Sequence, residues 1–137
     1  MDPLVVGIVH YGHVFLGIFW FGTILYTRIV LFPALATLPP DTYAAARKAM
    51  VSGNAQTWTR IFSYGTVGLG VIRGAITGVF GQLDSAYGIT YLAALAIGVF
   101  MLLLLYSPWF SAPIWRKVYV GGFPVMFTLM VLMRFGV

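Results

Sequence analysis

The feature that most constrains this chain is a run of about 29 mostly apolar residues, from Leu4 to Phe32, because about 20 helical residues are enough to cross the core of a bilayer. Two histidines, His10 and His13, lie inside this run and share one face of a helix, since they are three residues apart. Ionisable side chains are costly in a membrane and mark functional sites by default. The run therefore predicts a membrane helix that carries a functional group.

The composition of the chain is that of a membrane protein. Hydrophobic residues make up 61% of it and charged residues 8%, whereas a soluble domain carries about 25% charged residues. The net charge of +5 does not predict binding of nucleic acid, because the basic residues lie in loops and at helix ends. The chain has no cysteine, which excludes disulfides, zinc–thiolate sites and iron–sulfur clusters. The expected partner is the lipid bilayer.

Hydrophobic patterning predicts an all-α fold, an integral membrane four-helix bundle that forms a single transmembrane domain over residues 1–137. The four spans are expected at about 4–32, 61–80, 86–106 and 113–133. Asp41 is a good N-cap, so a short helix is expected from Thr42 to about Met50. We expect this helix to lie at the membrane surface, between the first two spans.

The basic residues predict the orientation of the spans. Six of them lie in or beside the first and third loops: Arg28, Arg47, Lys48, Arg60, Arg116 and Lys117. Positively charged loops stay on the cytoplasmic side, so both termini should face outward. The expected location is the inner membrane of a bacterium or an archaeon.

This topology gives the depth of the polar residues. At 1.5 Å per residue, His10 and His13 lie roughly 9 and 14 Å below the outer edge of the membrane, and Arg73 lies roughly 12 Å below it. The fourth helix runs outward and brings Met126 and Met130 to about the same depths. Polar groups and soft metal ligands from different helices are thus expected in the outer half of the bundle.

Each of these residues also has a purely structural interpretation. A histidine in a span can donate a hydrogen bond to a backbone carbonyl. Methionines spaced as Met126, Met130 and Met133 are common core filler, although thioethers also ligate copper and haem iron. Arg73 has no carboxylate within any predicted span. It either reaches the surface and meets Asp84, or binds an external anion such as a haem propionate or a lipid phosphate.

Two further patterns concern the second span and the spans as a set. Gly70, Gly74 and Gly78 form two successive G-x-x-x-G steps, which predict close helix packing and a groove that a flat cofactor edge could also use. Asp and Glu are absent from all four predicted spans. This argues against a proton pump or cation antiporter built on a carboxylate relay.

The first span resembles the first helix of several small four-helix membrane families. His13, Trp20 and Gly22 form an H-x6-W-x-G pattern, and the resemblance covers about 25 residues, 9–33. The pattern is similar to that of the copper-resistance protein D family, the membrane protoporphyrinogen oxidases of HemJ type and the membrane portion of bacterial urate oxidases. In the HemJ type the matching histidine is associated with haem b. The resemblance therefore implies that His13, rather than His10, is the ligand.

Three functional hypotheses follow from these patterns. The first is a haem-b-binding membrane protein with a redox or electron-transfer role. The second is a cofactor-free accessory or structural subunit of a larger membrane complex, or a homo-oligomer. The third is copper handling in the membrane, with the two histidines as metal ligands. The cofactor-binding residues are expected to be His13, His10, Arg73, Met130, Met126 and Trp20.

Overall fold

The computed structural model describes residues 2–135, which form helices and turns and no strand. The helices are α1 (Pro3–Leu35), α2 (Pro40–Met50), α3 (Gly53–Ile76), α4 (Ala86–Tyr106) and α5 (Pro113–Arg134). Short 3-10 turns at Val79–Gly81 and Pro108–Ser111 precede α4 and α5. The all-α prediction is confirmed.

The four long helices contact one another in cyclic order. α1 packs against α3, α3 against α4 and α4 against α5, and α5 returns to α1 through the smallest of these four contacts. Neighbours run antiparallel: along α1 and α3, for example, Gly12 lies beside Leu69 whereas Phe19 stacks on Phe62. We call the end at which α1 and α4 begin the upper end, and the end at which α3 and α5 begin the lower end.

Three of these helices, α1, α4 and α5, are long and apolar enough to cross a membrane. Large apolar side chains are exposed along all three of them. The buried core is small by comparison and consists of Trp20, Met101, Leu104, Tyr119 and Phe123. Extended apolar surface is rare on soluble monomers but is well solvated by lipid chains. The helices therefore have the length and the surface of an integral membrane protein.

α3 is more polar than the other long helices, because its first two turns carry exposed polar side chains and because it turns two hydroxyl groups inward. Ser63 and Thr66 are buried. Each donates a hydrogen bond to the helix's own backbone, at 2.8 Å to the Thr59 carbonyl and at 2.6 Å to the Phe62 carbonyl. These bonds satisfy the hydroxyl donors within α3, and Ser63 Oγ also lies 3.1 Å from the Tyr106 hydroxyl of α4. The lower hydropathy of α3 thus reflects its exposed first turns together with two hydroxyl groups on its interior face.

α1 continues past the expected end of the first span through a π turn at Thr27–Leu31. Pro33 has no N–H group, so the helix cannot form its usual bond to the carbonyl four residues earlier. The N–H of Phe32 instead donates to the carbonyl of Thr27, five residues back. The wider π turn accommodates the proline, and the helix continues to Leu35.

The second helix differs most from its predicted span of 61–80. α3 begins at Gly53 and ends at Ile76. Gly78 adopts a left-handed backbone conformation with φ of 74°, which ends helices because glycine lacks the Cβ that would clash there. Phe80 therefore belongs to the following 3-10 turn.

α2 also begins earlier than predicted, at Pro40, so Asp41 lies in the first helical turn and is not the N-cap. Proline suits the first position of a helix because that residue needs no N–H bond. The bounds of α4 and α5 agree with the predicted spans 86–106 and 113–133 to within one residue.

Candidate functional site

A cavity of about 300 Å³ lies between the four long helices in their upper half. Most of its lining is apolar, and polar side chains come from His13, Thr66, Arg73 and Tyr91. The expected cofactor-site residues that line it are His13, Trp20, Arg73, Met126 and Met130. The structure thus brings together residues of α1, α3 and α5 that are far apart in the sequence.

His10 is the expected ligand that does not line this cavity. It is exposed and lies one helical turn closer to the start of α1 than His13. Spacing alone put both histidines on one helix face, but of the two it is His13 that bonds to the α3 backbone. In the structure, His13 therefore lines the cavity and His10 lies at the surface.

His13 is held in place by the backbone of α3. Its Nδ1 lies 2.7 Å from the carbonyl oxygen of Thr66. A carbonyl oxygen only accepts hydrogen bonds, so Nδ1 carries the proton and donates it. In the neutral ring, Nε2 then keeps its lone pair and can accept a hydrogen bond or ligate a metal. This one contact fixes both the tautomer and the direction of the ring.

Gly70 makes room for this contact. A Cβ atom at Gly70 would lie 3.1 Å from Cε1 and 3.3 Å from Nδ1 of His13, whereas unstrained carbon contacts lie at about 3.5–4.0 Å. Gly65 serves the same interface by leaving space for Leu16. The small residues of α3 therefore allow α1 to approach closely enough for the imidazole ring to reach a main-chain carbonyl.

Tyr91 joins the same part of α3 from the opposite side. Its hydroxyl donates a hydrogen bond of 3.2 Å to the carbonyl oxygen of Gly70. Its ring occupies the space where a side chain at position 74 would otherwise lie, so Gly74 is required by this packing. The Gly70–Gly74 step of the predicted groove is thus filled by a tyrosine of α4 and the imidazole of α1, whereas Gly78 lies beyond the end of α3 and forms no second step.

Arg73 is the charged residue of the cavity lining. Its Nη1 lies 3.5 Å from the Tyr87 hydroxyl, at the limit of a hydrogen bond. Its Nε is buried and has no hydrogen-bond partner within residues 2–135. The expected alternative, a bond to Asp84, is not formed in this part of the chain. A buried donor without a partner costs free energy, so the guanidinium is suited to an anion carried by a ligand.

The methionine stripe of α5 lines the cavity with thioether sulfurs, at Met126, Met130 and Met133. Met126 also packs near α4, since its sulfur lies 3.5 Å from where a Cβ of Gly98 would be. Thioethers are soft metal ligands. They also belong to a flexible side chain that can shift to admit a ligand.

Trp20 and Phe123 form the wall of the cavity nearest the middle of the protein. Trp20 is 1% exposed, its Nε1 donates a hydrogen bond of 2.6 Å to the Tyr119 hydroxyl, and its ring meets Phe123 edge-on at 5.4 Å. The polar atom of Trp20 is therefore already occupied. Trp20 gives the cavity its shape and offers no polar contact. No pattern in the sequence indicates the pairing with Tyr119.

The cavity opens sideways, between α1 and α5. Ile18 is 63% exposed and Phe127 is 62% exposed, yet both line the cavity. They mark a mouth at the smallest of the four helix contacts. A molecule can therefore enter from the flank of the helix group without passing through either end.

Metal binding in this cavity would depend on the thioethers. Between residues 2 and 135, no group of three or more His, Cys, Asp or Glu side chains could hold a metal ion. A metal here would thus use His13 together with methionines of α5.

Comparisons with protein-family models, with curated proteins and with solved structures found no match for this chain. Its function is therefore argued from the cavity.

Proposed function

We propose that this protein binds haem b inside the membrane and has a redox or electron-transfer role. One observation carries the proposal: a histidine whose Nδ1 is bonded to a backbone carbonyl, an arginine whose buried Nε has no hydrogen-bond partner among residues 2–135, and a row of methionines line one apolar cavity. A largely apolar cavity with a few convergent polar groups is the usual form of a cofactor site. Bound haem would supply one-electron chemistry at its iron.

His13 is the axial ligand in this proposal. Histidines that ligate metals usually donate their second ring N–H to a carboxylate or a backbone carbonyl. His13 makes such a bond to Thr66 through Nδ1. Nε2 is then the nitrogen that would bind iron. This arrangement agrees with the family resemblance of the first span.

Arg73 and the methionines complete the proposed site. The guanidinium of Arg73 suits a haem propionate, because it is positive and its buried Nε has no hydrogen-bond partner among residues 2–135. Met126 or Met130 is the candidate for a second axial ligand, since both line the same cavity. Sites of small molecules measure about 300–1,000 Å³, so this cavity is at the small end. A porphyrin would require the methionines and the mouth residues to move outward.

The placement in the membrane is part of the same proposal. All four long helices cross the bilayer as a four-helix bundle, in which α3 packs between α1 and α4 and turns its apolar side chains Ile61, Val71 and Ile72 toward lipid. α2 lies at the membrane surface on the lower side, where Arg47 and Lys48 are exposed. The basic loops put the lower end in the cytoplasm and both termini outside, in a bacterial or archaeal inner membrane.

We expect a reporter fused to the C-terminus to be active outside the cytoplasm. The same reporter inserted between α2 and α3, at Val51–Ser52, should be active in the cytoplasm, because the basic residues flank this turn. The pair of fusions controls for expression. A cytoplasmic C-terminus would overturn the proposed orientation.

The experiment that tests the function is an absorption spectrum of the protein purified from membranes of cells supplied with haem. A Soret band with about one haem per chain supports the proposal. Copper without haem would instead favour copper handling, for which the joint exposure of His13 and three methionines to one cavity is the supporting observation. A protein with neither would be assigned to the accessory-subunit hypothesis.

Replacing Arg73 with glutamine should weaken haem binding by roughly 10- to 100-fold. A hydrogen bond to a charged group contributes about 1.5–3 kcal/mol, and about 1.4 kcal/mol is tenfold in affinity. Haem titration of the apoprotein measures the change. Arg134→Gln is the matched control, because Arg134 is exposed at the same end and does not line the cavity. Unchanged affinity in Arg73→Gln, with equal destabilisation in Asp84→Asn, would assign Arg73 to a surface ion pair.

A further inference from the structure

A second hollow lies at the lower end of the helix group, away from the cavity described above. It measures about 800 Å³ and is bounded by the end of α1, by α2 and by the start of α5. Basic and aromatic side chains are prominent in its lining: Arg28, Arg47, Arg116, Lys117, Phe32 and Tyr43. We call it the basic pocket. It draws on three helices that are separated in the sequence.

Phe32 holds two of these cations together. The guanidinium carbon of Arg28 lies 5.3 Å from the centre of the Phe32 ring, and that of Arg47 lies 5.7 Å from it. Both distances are typical of cation–π contacts. The π turn at Thr27–Leu31 directly precedes Phe32 and is continuous with it, and such turns are frequent at functional sites. The pocket is thus built by the irregular part of α1 together with the surface helix.

The pocket contains several positive charges. Among residues 2–135, its lining includes no aspartate or glutamate to offset them. Four cations around one hollow repel one another, and their repulsion is relieved by an anion. The complementary ligand therefore carries negative charge, and four cations match a doubly charged group better than a singly charged one.

The apolar residues that line part of the pocket indicate which kind of anion it would bind. Val120 and Gly121 of α5 line it, and a Cβ added at Gly121 would meet nothing within 4 Å. Val30 and Val118 are exposed on the helices beside it. Charged side chains next to open apolar surface suit an amphiphile with a phosphate head and hydrocarbon tails. In a helix group that crosses the bilayer, this pocket would lie at the level of the headgroups.

We propose that the basic pocket binds the headgroup of an anionic phospholipid that carries two phosphodiester groups, such as diphosphatidylglycerol. The inference rests on the membrane placement given under the proposed function and is independent of haem. Arg28 and Arg116, which are half-buried, bind the phosphates at the base of the pocket, and the exposed Arg47 and Lys117 close over them.

Thermal unfolding of the purified protein in a neutral detergent tests this inference. Added diphosphatidylglycerol should raise the unfolding temperature, and the concentration for half the effect should rise at least tenfold in the double variant Arg47→Gln/Lys117→Gln. Both side chains are exposed, so the substitutions should not disturb folding. Arg60→Gln is the matched control, because Arg60 is an exposed cation on the lower half of α3 and does not line the pocket. Arg47→Lys should have an intermediate affinity, since lysine keeps the positive charge but lacks the planar guanidinium group that can bind a phosphate through two hydrogen bonds.

Three other results would overturn the proposal. Equal stabilisation by phosphatidylcholine would mean that the protein responds to lipid in general. Equal stabilisation by inorganic phosphate would assign the pocket to a soluble anion. If Arg60→Gln lost as much affinity as the double variant, the lipid would be responding to the general positive charge of this surface and not to the pocket. None of these outcomes changes the absorption spectrum, so failure here is distinguishable from failure of the haem proposal.

Discussion

Replacing His13 with alanine is expected to abolish the Soret band that the haem proposal predicts for the purified protein. The change removes the only cavity nitrogen that the structure orients by a hydrogen bond to a backbone carbonyl within residues 2–135. Loss of an outer partner of a metal ligand alone lowers affinity about 10- to 100-fold, so loss of the ligand itself should lower it by more than about 100-fold. Haem titration measures the change, and far-UV circular dichroism checks that the helices remain.

His10→Ala is the matched control for this experiment. It removes the same side chain one turn away, from an exposed position that does not line the cavity. Haem content should stay at the level of the unmodified protein. If His13→Ala retained haem and His10→Ala lost it, the assignment of the axial ligand would be reversed.

Replacing Trp20 with alanine should cost roughly 3–5 kcal/mol of stability, the usual range for removing a large aromatic side chain from a packed core. Trp20 is 1% exposed and belongs to the only buried apolar cluster found in the described part of the chain. The loss would also leave the Tyr119 hydroxyl without the donor that it now has at 2.6 Å. Unfolding in mixed detergent micelles measures the difference.

Two further variants separate packing from hydrogen bonding at this position. Trp20→Phe keeps much of the ring and removes the indole N–H, so it should cost about 1–3 kcal/mol for the unsatisfied Tyr119 hydroxyl. Trp109→Ala removes a tryptophan that is 64% exposed, and surface substitutions usually change stability by about 0.5 kcal/mol or less. Similar losses in Trp20→Ala and Trp109→Ala would show that Trp20 has no special place in the core.

The bounds of α4 and α5 were predictable because their ends carry strong local signals. Ser85 caps α4 with its own side chain, and Pro113 starts α5 at a position where proline is favoured. The ends of α1 and α3 were less predictable. The first span was expected to end at residue 32, but the chain passes through a π turn and continues to Leu35. The left-handed conformation of Gly78 depends on a backbone state that many glycines do not adopt.

For the site, the sequence predicted the depth of the residues in the membrane but not the direction in which each side chain points. Topology and rise per residue put His13, Arg73 and Met130 at similar depths, and all three line one cavity. Depth says nothing about which way a side chain points, and only the family resemblance favoured His13 over His10. In the structure, Gly70 leaves room for His13 to reach the α3 backbone, whereas His10 is exposed.

The contacts within the cavity wall could not be read from the sequence. Trp20 and Tyr119 are far apart along the chain, and their hydrogen bond depends on how α1 meets α5. A glycine pattern predicts close helix packing but does not identify the side chain that packs against the glycines. For example, the groove at Gly74 was expected, but the sequence did not indicate that Tyr91 would fill it.

The sideways mouth between Ile18 and Phe127 has a consequence for how the cavity is filled. A hydrophobic molecule that enters there comes from the acyl chains, so its mole fraction in the lipid, and not its aqueous concentration, sets the occupancy. The binding equilibrium is then governed by the concentration of the molecule within the membrane. Diluting the protein in a large excess of detergent would empty the cavity even at constant total ligand, and returning it to a small amount of lipid would refill it.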